Sequence, residues 1–149
     1  MAPEPLPAID PAELGLRMAE GTPQAIALGF RFVSATPDGA SMAVSWREDL
    51  VGDPATGVLA GGVITSLLDH VCGLAVSARL GRPHAIATLD LRIDYMRAAE
   101  PGREIIALAR CYKLTKSIGF VRASAFEATE DDPVATAQAA FALNRGPTP

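Results

Sequence analysis

Apolar and polar positions follow two different periods along this chain, and the changes between them mark its elements. Nine residues containing Pro3, Pro5 and Pro7 read as a loose N-terminal arm. Asp10-Pro11-Ala12-Glu13 then opens a helix. Asp10 can cap it, Pro11 suits the first helical position, and Glu13 sits where a capping box places a carboxylate. Gly15 weakens this helix, Gly21 ends it, and Thr22-Pro23 begins a further helical turn through Ala27. Phe30 to Val33 is strand-like, Pro37-Asp38-Gly39 is a turn, and Ser41 to Trp46 alternates, which together predict a hairpin. Arg47 to Thr56, with Gly52, Asp53 and Pro54, is predicted as a loop.

From Gly61-Gly62 to Gly81 the period becomes helical. Advancing about 100° per residue, Val63, Ile64, Leu67, Leu68, Val71 and Leu74 gather on one side. Asp69 falls nearly opposite, on a stripe with Gly62, Thr65, Cys72, Gly73 and Val76. A solvated face would carry several long charged side chains, and this one carries none before Arg79. The stripe is therefore expected to be covered by another surface, with Asp69 facing a confined site.

After the helix the pattern is all strand. His84 to Met96 alternates, with Ile86, Thr88, Asp90, Arg92 and Asp94 predicted on one face and Ala87, Leu89, Leu91, Ile93 and Tyr95 on the other. Glu104 to Leu114, Phe120 to Glu127 and Val134 to Leu143 supply three more strands joined by short turns. A meandering antiparallel sheet with one long apolar helix is an α+β arrangement in which the sheet curls around the helix. The 149 residues are read as one domain, 1–149, long enough to bury a core.

Composition narrows the chemistry. Hydrophobic residues make up 49% of the chain and charged ones 20%, a balance suited to hiding surface against copies of itself. The net charge of −4 and scattered basic residues argue against a nucleic-acid partner. No apolar run is read as long enough to span a bilayer, no signal peptide is recognised, and the cytoplasm is the expected location. Cys72 and Cys111 are read as small buried hydrophobes rather than a disulfide. With only His70 and His84, neither at metal-ligand spacing, no metal is expected. His70 lies about 100° round the helix from Asp69, too far to pair with it directly.

What remains is a glycine-opened helix N-terminus with a carboxylate two turns on. Unpaired N–H groups at such an end stabilise an oxyanion, and glycine lets a carbonyl approach closely. A carboxylate can serve as general base on water or as nucleophile towards an activated acyl group. A thioester is a fitting target, because its carbonyl is electrophilic and its thiolate leaves readily.

Leu59-Ala60-Gly61-Gly62-Val63-Ile64, followed by Leu67-Leu68-Asp69, resembles the His-Gly-Gly…Asp motif of the hotdog-fold acyl-CoA thioesterases, the PaaI-like group. Thr88 to Met96 is similar to the strand that follows the helix in that family. The resemblance, over roughly residues 25 to 144, implies a hotdog fold working as a homodimer or dimer of dimers. It also implies acyl-CoA as substrate, with coenzyme A present only as part of it and no cofactor. By position Asp69 takes the place of the catalytic carboxylate, Gly61 that of the oxyanion donor, and Thr88 that of a hydroxyl helping to hold water.

Two positions depart from the family. Its histidine before the glycines is Ala60 here, and its loop asparagine is Asp53, or Pro54 under a slightly different alignment. These changes leave open a domain that binds acyl thioesters without hydrolysing them. A hydratase, which needs a His-plus-acid pair, ranks last. Gly62 and Asp53 are expected near the substrate, and Arg82, Arg97, Lys113 and Lys116 are candidates for holding coenzyme A. Finally, Gly61 and Asp69 are eight residues apart, about 12 Å along one helix. Acting on one reacting centre requires two chains, with helices antiparallel and Gly61 of one facing Asp69 of the other, an approach eased by Gly62, Thr65 and Gly73.

Overall fold

A computed structural model describes residues 8–82 and 84–144. The chain runs through α1 (Pro11–Glu20), α2 (Pro23–Leu28), β1 (Phe30–Thr36), β2 (Gly39–Val44), β3 (Val51–Asp53), β4 (Val58–Leu59) and α3 (Gly61–Leu80). It then forms β5 (Ala85–Tyr95), β6 (Ile105–Leu114), β7 (Ile118–Phe126) and β8 (Ala135–Asn144). Six strands make one antiparallel sheet in the order β1-β2-β6-β7-β8-β5, and β3 pairs only with β4. The sheet curves around α3, as the hydrophobic pattern predicts.

That curvature has a side-chain basis. The sheet's inner face is lined by small residues, among them Ala107, Ala109, Ala125, Ala135 and Ala137, all buried. The helix presents large ones, with Leu67, Leu68, Val71 and Leu74 fully buried. Large knobs on the helix and a shallow floor on the sheet fill space at native density. At Gly119 on β7 a Cβ would lie 3.0 Å from Val76 Cγ1, so the strand depends on glycine to approach the helix this closely.

At the N-terminal end, Asp10 caps α1 by accepting from Ala12 N–H at 3.1 Å. Glu13 does not complete a capping box; it pairs forward with Arg17 at 2.6 Å. Gly15 does more than weaken the helix. A Cβ there would sit 2.0 Å from the Phe32 ring, so Gly15 is the contact through which α1 lies on β1. Of the predicted arm, residues 1–7 lie outside the described residues.

Three expectations are corrected. The span read as loop holds a single 3-10 turn, Glu48–Leu50, and the β3–β4 ladder. The strip opposite α3's apolar side is not uniform, since Cys72, Gly73 and Val76 are buried within this chain while Gly62 is exposed. And α3, at 20 residues with a mean hydropathy of 1.4 over its most apolar window, is long and apolar enough to cross a bilayer by length and composition. Here it is the buried core helix, with every residue from Val71 to Ala78 inside the protein. Cys72 and Cys111 are both free and buried, and burial pushes both thiols above their ordinary range.

Candidate active site

α3 and the edge strand β5 lie side by side and antiparallel. Ile86 meets Gly73, Thr88 meets Asp69, and Tyr95 meets Gly61. Strict alternation along β5 cannot produce this, because Thr88 and Tyr95 would then face opposite ways. The register against β8 shows why they do not: Thr88 pairs with Phe141 but Asp90 with Ala140, so Leu89 is an extra residue in a bulge. A bulge reverses the parity of everything beyond it. Leu91, Ile93 and Tyr95 therefore join Ile86 and Thr88 on the helix side, while Asp90, Arg92 and Asp94 face outward. The two-face assignment made from the sequence holds before Leu89 and inverts after it.

Within the furrow between helix and strand, Thr88 Oγ1 donates to Asp69 Oδ1 at 2.8 Å. The carboxylate is half-buried, and its second oxygen, Oδ2, makes no hydrogen bond among the described residues. Two turns back, α3 starts at Gly61, and the preceding Ala60 offers no side-chain cap to the first N–H groups. Those groups carry the positive end of the helix dipole, and the space beside Gly62 is open, since a Cβ added there would meet nothing within 4 Å. The entry is held rigidly: Ala60 N–H donates to Leu50 O at 2.9 Å, and a Cβ on Gly52 would lie only 2.8 Å from Ala60 Cα.

Tyr95 is the residue the sequence did not single out. Its hydroxyl donates to Gly61 O at 2.8 Å and lies 2.5 Å from Thr65 Oγ1. Because the peptide is planar and trans, fixing the Gly61 carbonyl also fixes the Gly62 N–H on its opposite side. The signal that would have found Tyr95 is the bulge, which leaves no clear trace in a run whose polar residues alternate throughout.

The other expected residues fall into separate groups. Asp53 is turned into its own loop, accepting from Ala55 N–H at 3.0 Å and from Thr56 Oγ1 at 3.1 Å. Arg97 pairs with Glu127 and with Asp132, and its guanidinium rises above the ordinary arginine range chiefly through the Glu127 hydrogen bond. Arg97, expected as an exposed cation for coenzyme A, is instead half-buried and ties the end of β5 to the β7–β8 connection. Arg82, Lys113 and Lys116 are exposed, at the end of the molecule beside the last turns of α3. His70 faces the other flank, with Nδ1 3.2 Å from Ser66 O and its ring edge-on to Phe30. Among the described residues, no group of three His, Cys, Asp or Glu side chains is placed to hold a metal ion.

A curved antiparallel sheet around a central helix, with a carboxylate and an uncapped glycine N-terminus on one furrow, defines a hotdog domain. The thioesterase superfamily model matches residues 56–134, and the chain belongs to that superfamily. It is similar to a Pseudomonas aeruginosa protein of known structure, 32% identical with a TM-score of 0.82, over 89% of this chain and 98% of that one. A mutant structure of the phenylacetic acid degradation protein PaaI from Thermus thermophilus is 26% identical, with a TM-score of 0.70, over 81% of this chain and 98% of that one. A Halobacterium salinarum protein described provisionally as an esterase is 30% identical over 100 residues, and the match spans 65% of the length of each chain.

Proposed function

We propose that this protein is an acyl-CoA thioesterase that uses Asp69 as general base or nucleophile and a glycine helix N-terminus as oxyanion hole. The observation that carries the reading is the solvent-exposed Thr88–Asp69 hydrogen bond between α3 and β5. Thr88 occupies one carboxylate oxygen and orients the group, leaving Oδ2 to accept a proton from water or to attack the carbonyl carbon. In either route the carbonyl oxygen gains negative charge, which the N–H groups of Gly61 and Gly62 on a second copy of the chain receive. Coenzyme A then leaves as its thiolate; where Asp69 has attacked directly, water cleaves the resulting anhydride to free acid and restores the carboxylate. Asp53 is engaged by its own loop, accepting from Ala55 N–H and Thr56 Oγ1. Exposed Arg82, Lys113 and Lys116 are the available cations for the coenzyme's phosphates.

The site is completed by a second copy of the chain. Gly61 and Asp69 lie about 12 Å apart along α3, too far to serve one carbon. Exposed Leu89, Tyr95 and Met96 line the edge next to the furrow and offer apolar area for a partner. Gly62 and Thr65 leave room for its helix. Gly73 does not contribute to that approach, being packed against Met18, Ile86 and Phe141 of its own chain.

Hydrolysis of a panel of acyl-CoAs, parent beside Asp69→Asn, tests the chemistry. Turnover is expected to fall on the order of 100- to 10,000-fold with the fold retained, since Asn can still accept from Thr88. Parent protein that binds acyl-CoA without hydrolysing any would establish instead the thioester-binding domain. For the shared site, Gly61→Pro removes one N–H at a helical position that tolerates proline, after an extended Ala60. Asp69→Asn and Gly61→Pro homodimers should both be nearly inactive, and purified mixed dimers should recover one working site of two. Mixed dimers as inactive as their parents would sink the two-chain arrangement.

A further inference from the structure

The sheet's outer face, behind the furrow, carries an unusual row. Arg110 on β6 lies directly opposite Arg122 on β7, Arg122 opposite Gln138 on β8, and Gln138 opposite Arg92 on β5. Directly paired residues point to the same face, so three guanidinium groups share one line across four strands. At roughly 4.8 Å per strand the line is about 14 Å long. Like charges directly opposite each other in a sheet repel, and an acidic protein of net charge −4 has no general need to gather them. They surround a hollow of about 590 Å³, a volume typical of small-molecule sites.

The charges are only partly answered from within. Glu130 takes Arg110 at 2.8 Å, and Asp94 takes Arg92 at 3.4 Å. Arg122 has no carboxylate partner among the described residues; its guanidinium carbon lies 4.4 Å from the centre of the Tyr112 ring. Stacking on an aromatic face holds the planar fork in place and leaves its N–H edges free. Ser124 and Thr136, in the neighbouring row on the same face, add hydroxyls beside it.

We propose that this hollow binds a phosphorylated small molecule, with Arg122 and Arg92 taking the phosphate oxygens. Guanidinium forks match phosphate bidentately, and a bound phosphate would supply the anion that Arg122 lacks among the described residues. The site lies on the opposite face of the sheet from Asp69, so it is independent of the hydrolytic reading. Its ligand is either a free di- or polyphosphate or the diphosphate of a nucleotide.

Titration of the full chain with inorganic pyrophosphate, ADP and coenzyme A, followed by amide chemical shifts, tests the proposal. Shifts are expected at Arg110, Arg122, Gln138 and Arg92 and to weaken with added salt. Arg122→Gln should weaken pyrophosphate binding at least ten-fold without lowering thermal stability, because it relieves a repulsion. Arg92→Gln is the second variant, also expected to weaken binding while Asp69→Asn leaves it unchanged. Equal affinity for pyrophosphate and ADP assigns the site to phosphate alone, and tighter ADP binding assigns it to a nucleotide. Absence of these shifts with all three probes, binding indifferent to both arginine variants, or a change of oligomeric state in Arg122→Gln without phosphate would overturn it.

Discussion

The two halves of α3 are built from similar residues and do different work. From Val71 to Ala78 the helix is enclosed on every side, by β7 through Gly119, by Phe141 and Ile86, and by Met18 from α1. From Gly61 to His70 only one side is enclosed, and the other carries Gly62, Thr65 and Asp69 along the furrow. The difference arises less from the helix than from what surrounds it. β5 runs along both halves; the second half also has Met18 of α1 packed over Gly73, whereas a Cβ added to Gly62 in the first half would meet nothing within 4 Å. A carboxylate on the second half would be sealed in apolar surroundings. On the first half it has a hydroxyl partner and access to solvent.

This contrast can be broken from either end. Leu74→Ala, in the enclosed half, should lower unfolding stability by about 3 kcal/mol, read from denaturant melts. Turnover per folded molecule should remain near the parent's. A large loss of turnover at full stability would mean that the two halves are not separable in this way.

Glu127→Gln acts on the clamp at the end of β5. The Glu127 side chain is only 4% exposed, and the Arg97 hydrogen bond holds its carboxyl below the usual carboxylate range. A depressed folded-state pKa means stability that is present above the unfolded carboxylate's pKa and is lost as pH falls through the folded value. Stability of the parent should therefore drop as the solution is taken below about pH 4. The variant should be less stable at neutral pH by about 2 kcal/mol and show a shallower acid slope. Equal slopes would remove Glu127 from the account.

The smallest effect belongs to Tyr95→Phe. Losing one hydroxyl should cost turnover about ten-fold, some 1.4 kcal/mol, by freeing the Gly61–Gly62 peptide. The Michaelis constant and melting temperature should scarcely change. A raised Michaelis constant with unchanged turnover would make Tyr95 a substrate contact instead of a positioning residue.

Much of this molecule can be read from residue order. The period of 3.6 between Val63 and Ala78 identifies the core helix, Gly61-Gly62 and Gly81 mark its ends, and Asp69 stands apart from its apolar side. The strands after it are legible from alternation, and the Asp10-Pro11 start of α1 from capping chemistry alone. These are local signals, set by backbone geometry within a few residues.

What only the tertiary structure decided depends on pairings between distant segments. Whether the strip around Asp69 is buried or open depends on which elements pack against each turn, and the answer changes between Asp69 and Cys72. The face on which Thr88 and Tyr95 lie depends on one extra residue, Leu89, measured against β8 more than forty positions away. The state of a charge is equally non-local: Arg97 is taken by Glu127, thirty positions away, and Arg122 is left without a carboxylate among the described residues. Sequence determined which groups are available for chemistry, because their identity is local. The fold determined which of them meet, because register, parity and burial are properties of pairs.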